Sequence, residues 1–419
     1  LGAALGGKLS ERNFSDDQRG MMKSDDADSV ADWDSNAPEV RADHRAAYDS
    51  LRRRCPVARD AAGTWTLLRH EDVCRAALDD ITFSSSASRF QSVPNSMDGD
   101  QHRRFRKVVD RFLEPSRIAL LVPTFREVAE EVVAALPRGV TVDAVEDVGL
   151  LVAVRAQSRW LGWPAALEQI LCNWVRDNHE ATRSGELART RATAERFDEI
   201  VLQQMTRRRT TVSASSGLDV TAELMQTTVE DPAVPGGQRF LTDGETISLL
   251  RNWTAGDLGS VARAIGVVLH YVAAYADVQA KLRGSLQDIQ ALDHAIDEIL
   301  RMDDPFVANR RATTREVHIG GRTLPQGARV LLNWTAANRD PAVFGAPDAY
   351  RPEQNAEQNL VYGIGPHACP GRALATHELR EALTAVLRAT SAILLSPNQL
   401  STRETLPLGG YARVPVILS

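Results

Sequence analysis

A mainly α fold with a small β lobe is what the sequence predicts, on three observations. Apolar residues recur at helical spacing through most of 98–303, and again from 372 to about 390. Strand-like runs are confined to 64–68 and 304–335. The 419 residues are 43% hydrophobic and 25% charged, an ordinary globular composition that supplies a large core. Length alone would suggest two or three domains.

Taken in order, residues 1 to about 38 are rich in Gly, Ser, Asp and Lys, with weak apolar periodicity. They read as a mobile N-terminal arm, which leaves 39–419 as the ordered unit. A strand over 64–68 leads into a short helix from His70 to near Leu78. Residues 86–97, rich in Ser, Asn, Gln and Pro, form a loop. A helix follows over 98–113. Residues 117–240 carry amphipathic helix patterns, and within them Trp160, Trp163, Trp174, Asn178 and His179 read as core more than as ligand contacts. Arg207, Arg208 and Arg209 lead into a Thr/Ser-rich surface loop, and 231–238 is a second loop. Thr242 and Glu245 have capping-box spacing and open a long central helix over 243–276. Gly256 and Gly259 lie inside it, each costing about 1 kcal/mol relative to Ala, so room or a kink is expected there. A helix over 289–303 precedes the strands of 304–335.

Composition excludes some roles. A net charge of −6 argues against a nucleic-acid partner. No run of 18 apolar residues offers a membrane span, and Leu1 to Gly7 is too short for a signal peptide. Four scattered cysteines (Cys55, Cys74, Cys172, Cys369) fit free thiols in a reducing compartment.

The most informative stretch runs from Tyr362 to Gly371, with Gly363, Gly365, Pro366, His367, Cys369 and Pro370 between them. Its glycines let backbone approach a flat, bulky partner. Cys369 stands just before a helix start, where free N–H groups favour a thiolate. One thiolate with no second Cys or His at metal spacing suits an axial ligand to haem iron and does not suit zinc. The alternative is a buried structural cysteine.

The whole pattern, aromatic-Gly-x-Gly-x-His-x-Cys-x-Gly-x-x-Leu374-Ala375, resembles the haem-thiolate signature of the cytochrome P-450 family, with Tyr362 where that family usually has Phe. The resemblance implies a single-domain cytochrome P-450-like fold, a heme b (iron protoporphyrin IX) ligated by Cys369, and a cytoplasmic setting. Other stretches agree with it. Asp98, His102 and Arg106 stand at the family's Asp-x-x-x-His-x-x-x-Arg spacing, and i,i+4 neighbours share a helix face. By resemblance His102 and Arg106 hold haem propionates, with Arg311 and His367 as further cofactor contacts. The loop at 86–97 would roof the pocket. Phe83, Trp253, Phe306, Val307 and Asn309 are the implied substrate neighbours. Basic residues near Arg106 would face an electron donor, either ferredoxin or flavodoxin with its reductase. Glu298 and Arg301 match the Glu-x-x-Arg motif, whose third member in the family is usually Arg. Gln354 stands there, so either Gln354 or Arg351 is expected to complete the network.

The central helix departs from the pattern. Ala255 and Gly256 match, but the family's acid and alcohol positions hold Leu258 and Gly259. Asp257 and Ser260 flank them, about 100° round the helix per residue. Water or substrate could deliver the proton, Asp257 or Ser260 could do so through a distorted turn, or the oxidant could be peroxide. The expected catalytic residues are therefore Ala255, Gly256, Asp257 and Ser260. The implied activity is oxidation of a small molecule or aromatic peptide, by C–H hydroxylation or by aromatic coupling. The altered pair leans towards coupling. The rivals are a non-catalytic haem sensor and a peroxide-using enzyme.

Overall fold

The structure, a computed structural model, describes residues 31–88, 91–210 and 219–419. Most of the expected arm and the Thr/Ser-rich stretch after Arg209 lie outside the described residues, as do two positions of the 86–97 loop. The last residues assigned to the arm carry contacts: Asp32 accepts from the Arg59 N–H and pairs with Arg322, and Trp33 bridges Asp60.

Six helices position the site: α1 (Gly99–Leu113), α2 (Glu168–Ser184), α3 (Asp243–Thr254), α4 (Leu258–Ala274), α5 (Ile289–Met302) and α6 (Arg372–Ala389). Each owes its place to an apolar stripe. In α1 the buried set is Phe105, Val108, Val109, Phe112 and Leu113, at 3–4 residue spacing. In α6 it includes Leu374, Leu379, Leu383 and Val386. The capping box at α3 is present: Thr242 Oγ1 accepts from the Glu245 N–H, and Glu245 returns a bond to the Thr242 N–H. The central helix expected over 243–276 is broken. It stops at Thr254, passes through a turn at 255–257 and resumes at Leu258. Among the described residues, Asp243–Ala274 is the one segment apolar enough to cross a membrane, but 67% of its most apolar window is buried inside the protein. It is a core helix.

The β lobe is a five-stranded sheet of β1 (Val57–Arg59), β2 (Trp65–Leu67), β3 (Phe83–Ser84), β4 (Ala308–Thr313) and β5 (Arg329–Asn333), in the order β1-β2-β5-β4-β3. Only the β2–β5 pairing is parallel, with Val330 opposite Trp65. A second sheet joins Thr141–Asp143, Pro415–Leu418 and Ile393–Leu395.

A buried ionic network ties α5 to the segment before Cys369. Arg301 is fully buried and makes two bonds to Glu298, at 2.7 and 3.0 Å. Its remaining donors reach the carbonyls of Asn338 and Pro347. The third member is neither residue expected from the sequence. Gln354 and Arg351 are exposed, and Asn355 instead donates Nδ2 to Glu298 at 2.7 Å, beside the Arg351 backbone N–H. The four-residue helix Pro352–Asn355 turns position 355 inward and 354 outward. Asn338 then accepts the Leu360 N–H at 2.7 Å, so the network reaches the start of the cysteine loop.

Arg301→Leu is expected to cost about 3–5 kcal/mol, because it strands a buried carboxylate. Asn355→Ala should cost about 1–3 kcal/mol. Gln354→Ala should stay within about 0.5 kcal/mol. Urea denaturation of the three variants checks the order, and a Gln354 effect exceeding that of Asn355 would return Gln354 to the network.

Candidate active site

The cysteine loop is held by its own backbone. Gly363 and Gly365 take positive φ of 66° and 80°, which side chains resist, and Ala77 crowds the Cβ position of Gly365. The Cys369 N–H donates to the Tyr362 carbonyl at 2.8 Å, and the Gly363 N–H donates to Leu360 at 2.8 Å. The Tyr362 hydroxyl lies 3.4 Å from that of Thr376, which gives the buried phenol a polar neighbour. Arg106, from α1, clamps the loop through Nη1 to the carbonyls of Pro366 and Ala368, at 3.1 and 2.7 Å, while its Nε bonds Asp110.

Cys369 is the one of the four free cysteines whose side chain is open at its surface. It borders a cleft of about 770 Å³ lined also by Arg106, Leu113, Pro115, Ala373 and His377, which takes in none of His102, Arg311, His367 or Asp257 and so lies on the other side of the loop from the broken turn. The protein nonetheless surrounds the sulfur closely. Burial, then the nearby Asp257 charge, push the thiol up to about 12, against a pull from the Gly371 N–H. This corrects the sequence expectation of a thiolate prepared by a helix start. Without a cation the desolvation outweighs the dipole, and α6 begins only at Arg372.

Beside the loop the predicted basic set comes together. His102 is buried on α1 and packs on His367, with ring centroids 4.1 Å apart. His367 Nε2 lies 3.0 Å from Ser85 Oγ and 3.6 Å from Asp98. Asp98 accepts the Ser85 N–H and the Ser84 hydroxyl instead of capping α1. Burial alone would raise Asp98, yet bonds from His367, Ser84 and Ser85 hold it near 2. Burial, with the charges of His367 and Arg106, lowers His102 to about 4. Arg311 is 5% exposed, and its hydrogen bond goes to the carbonyl of its own neighbour, Arg310. Among the described residues no salt bridge engages it, so a buried guanidinium is left with free donors. An exposed cysteine on a loop clamped by Arg106 and carrying the His367 that packs on His102, together with a buried guanidinium that has free donors, fits a flat dicarboxylate macrocycle such as haem.

The broken turn of the central helix faces the loop. The Asp257 carboxylate and the Cys369 sulfur each lie 3.8 Å from the Cβ position of Gly371. Burial raises Asp257 to about 7. Ser260 Oγ donates back to the carbonyls of Gly256 and Asp257, at 3.1 and 3.0 Å. Ala255, Asp257 and Ser260 are half-buried, and Gly256 is exposed despite its place mid-chain in a core helix. The distorted turn thus puts Asp257 near the cysteine, with the Ser260 hydroxyl turned back onto the turn's own carbonyls. Two further groups escaped sequence reasoning. Glu378 on α6 is fully buried with both oxygens unpartnered, and its pKa is driven well up by burial and by Asp257. Arg263 on α4 contacts His179 on α2. A lone charge in the apolar run 261–268 was the available signal for Arg263.

The substrate neighbours implied by resemblance do not gather in one place. Phe83 is fully buried in β3, packed in the core under the sheet, because its strand pairs with β4. Trp253 is core, stacked on Phe112 and Trp160. Val307 is buried under the sheet, and Asn309 accepts from Trp334 Nε1 at 2.8 Å. Phe306, 46% exposed, alone presents an open ring.

A family model described as Cytochrome P450 matches residues 182–410. The chain is 29% identical over 371 residues to cyclomarin C epoxidase CymV of Salinispora arenicola, covering 84% of this chain and 90% of that protein. It is 27% identical over 420 residues to 6-deoxyerythronolide B hydroxylase of Saccharopolyspora erythraea, covering 93% and 99%. The crystal structure of cytochrome P450 CYP101C1 superposes with a TM-score of 0.81 at 25% identity, over 94% of this chain and 98% of that one. The matched span exceeds half the chain and contains Arg311, His367 and Cys369, and with these agreements over nearly its whole length the chain belongs to the cytochrome P450 family of haem-thiolate monooxygenases.

Proposed function

We propose that the chain, through residues 39–419, holds heme b by Cys369 and inserts oxygen into a small organic or peptide substrate in natural-product biosynthesis. The observation that carries this is the exposed Cys369 on its glycine loop, clamped by Arg106 and facing the turn at Asp257. The epoxidase and hydroxylase among the relatives support oxygen insertion over coupling. The lean towards coupling rested on a missing proton relay, and the nearness of Asp257 to the cysteine weakens that reason.

The bound haem supplies oxygen activation at iron, favoured by a thiolate ligand. The chain supplies the rest. Cys369 loses its proton to become the ligand. Arg311 and Arg106 offer N–H donors to the propionates, and His102 and His367 complete that edge. Asp257, held near 7, can keep and release a proton around neutral pH. Ser260, bonded to backbone carbonyls, keeps the turn open beside it. Electrons would come from a ferredoxin or flavodoxin with its reductase. The basic side chains on α1 are largely paired already, Lys107 with Glu230 and Arg111 with Glu223, so an acidic donor would meet a partly neutralised face. Four free cysteines accord with a cytoplasmic setting.

The test is the absorption spectrum of the reduced protein under carbon monoxide. A strongly red-shifted Soret band in wild type, lost in Cys369→Ser, is expected, and a histidine-type band in wild type would contradict the reading. Turnover with a surrogate reductase should fall about 10²-fold or more in Asp257→Asn. Ser260→Ala should lose less than about tenfold, roughly 1.4 kcal/mol of barrier. Reversal of that order would make Ser260 the proton donor.

A further inference from the structure

Arg263 interrupts the apolar run of α4 and is 5% exposed. Among the described residues it makes one hydrogen bond, from Nη1 to His179 Nε2 at 2.6 Å, and its Nε is buried without a partner. A guanidinium carries five N–H groups, so most of these are idle. No carboxylate pairs with it. Glu404, the acid that acts on it through space, is clamped by Arg183 at 2.7 and 2.9 Å. Burial lowers Arg263 to about 10, which leaves it cationic at neutral pH. His179 adds no balancing charge, because burial and then the Arg263 charge keep it neutral down to about pH 2. The imidazole accepts through Nε2, so its proton sits on Nδ1 and remains available to donate.

A buried cation without a counter-charge is costly, and this chain keeps one in its central helix. Its position gives the reason. The His179 ring lies against Gly259, where any Cβ would overlap it, and Arg263 Nη1 is 3.3 Å from the same point. Gly259 adjoins Ser260 and lies one turn beyond the exposed Gly256. Both side chains therefore fill the notch that Gly259 leaves, next to the broken turn of the central helix.

We propose that Arg263 and His179 form an anion-binding subsite in the substrate pocket and that the natural substrate carries a carboxylate bound there. This rests on the haem-thiolate reading for the location of the pocket. The guanidinium supplies charge and paired N–H donors to the carboxylate. His179 orients the guanidinium and offers Nδ1–H. Gly259 is required because any larger residue displaces the imidazole.

Isothermal titration of the haem-loaded protein tests this with matched probes: benzoate, 1-naphthoate and indole-3-acetate, each against its amide. At least one carboxylate should bind about tenfold or more tightly than its amide. Arg263→Gln should abolish that preference, Arg263→Lys should keep part of it, and Gly259→Ala should weaken it. Should Arg263→Gln fail to take up haem, His179→Phe serves instead: it should weaken carboxylate binding several-fold while amide binding holds. Absence of any preference for carboxylates in wild type, or a preference untouched by the Arg263 and His179 variants, overturns the subsite. The carbon monoxide spectrum of the same samples separates the two claims. A normal thiolate band without carboxylate preference rejects the subsite alone, and a missing band in wild type rejects the haem-thiolate reading beneath it.

Discussion

A cysteine set against protein groups and a nearby acid ionises readily only where a positive charge meets it, and the proposed haem iron would supply that charge at Cys369. Burial and the nearby Asp257 charge raise the thiol in the protein alone. The loop around it is already fixed by backbone bonds at Tyr362 and Leu360 and by the Arg106 clamp. Metal binding then has to displace a proton and has little backbone to order, so specificity for the cofactor resides in the loop's shape more than in a prepared anion.

That shape depends on distant residues. Glu298 and Arg301 sit on α5, yet Arg301 bonds the Asn338 carbonyl, and the Asn338 side chain takes the Leu360 N–H just before the loop. The ionic pair, buried and fully hydrogen-bonded, thereby sets where the cysteine segment leaves the body of the protein. A buried pair adds little net stability, but a half-broken one is costly. It therefore works as a constraint on geometry, with Asn355 adding a third donor to Glu298 Oε1.

Features written in short-range spacing were legible in the sequence. The glycine–cysteine loop, the i,i+4 pair His102 and Arg106, and the Thr242–Glu245 capping box all depend on a few adjacent residues, and all appear as read. Two glycines marked the central helix as strained, and the break at 255–257 is centred on the first of them, Gly256. What escaped was set by tertiary burial. Phe83 and Trp253 carry the right chemistry for a pocket but face the core. Gln354 occupies the expected place in the chain, and a one-residue turn of a short helix hands its role to Asn355. The thiolate argument erred because it weighed a local dipole and could not weigh desolvation. Arg263 and Glu378 are ordinary letters in a sequence, and their missing partners are visible only once the interior is assembled.

The account stands most directly on Cys369 being a protonated thiol that only the haem iron converts to a ligand. In protein with Cys55, Cys74 and Cys172 replaced by Ser, the rate of Cys369 alkylation by iodoacetamide is measured against pH, with and without haem. The account predicts no thiolate inflection below about pH 10 in the haem-free protein, since burial raises the thiol above its usual value of about 8.5, and full protection once haem is bound. An inflection between about pH 6 and 8.5 without haem, or unchanged labelling after loading, would contradict it.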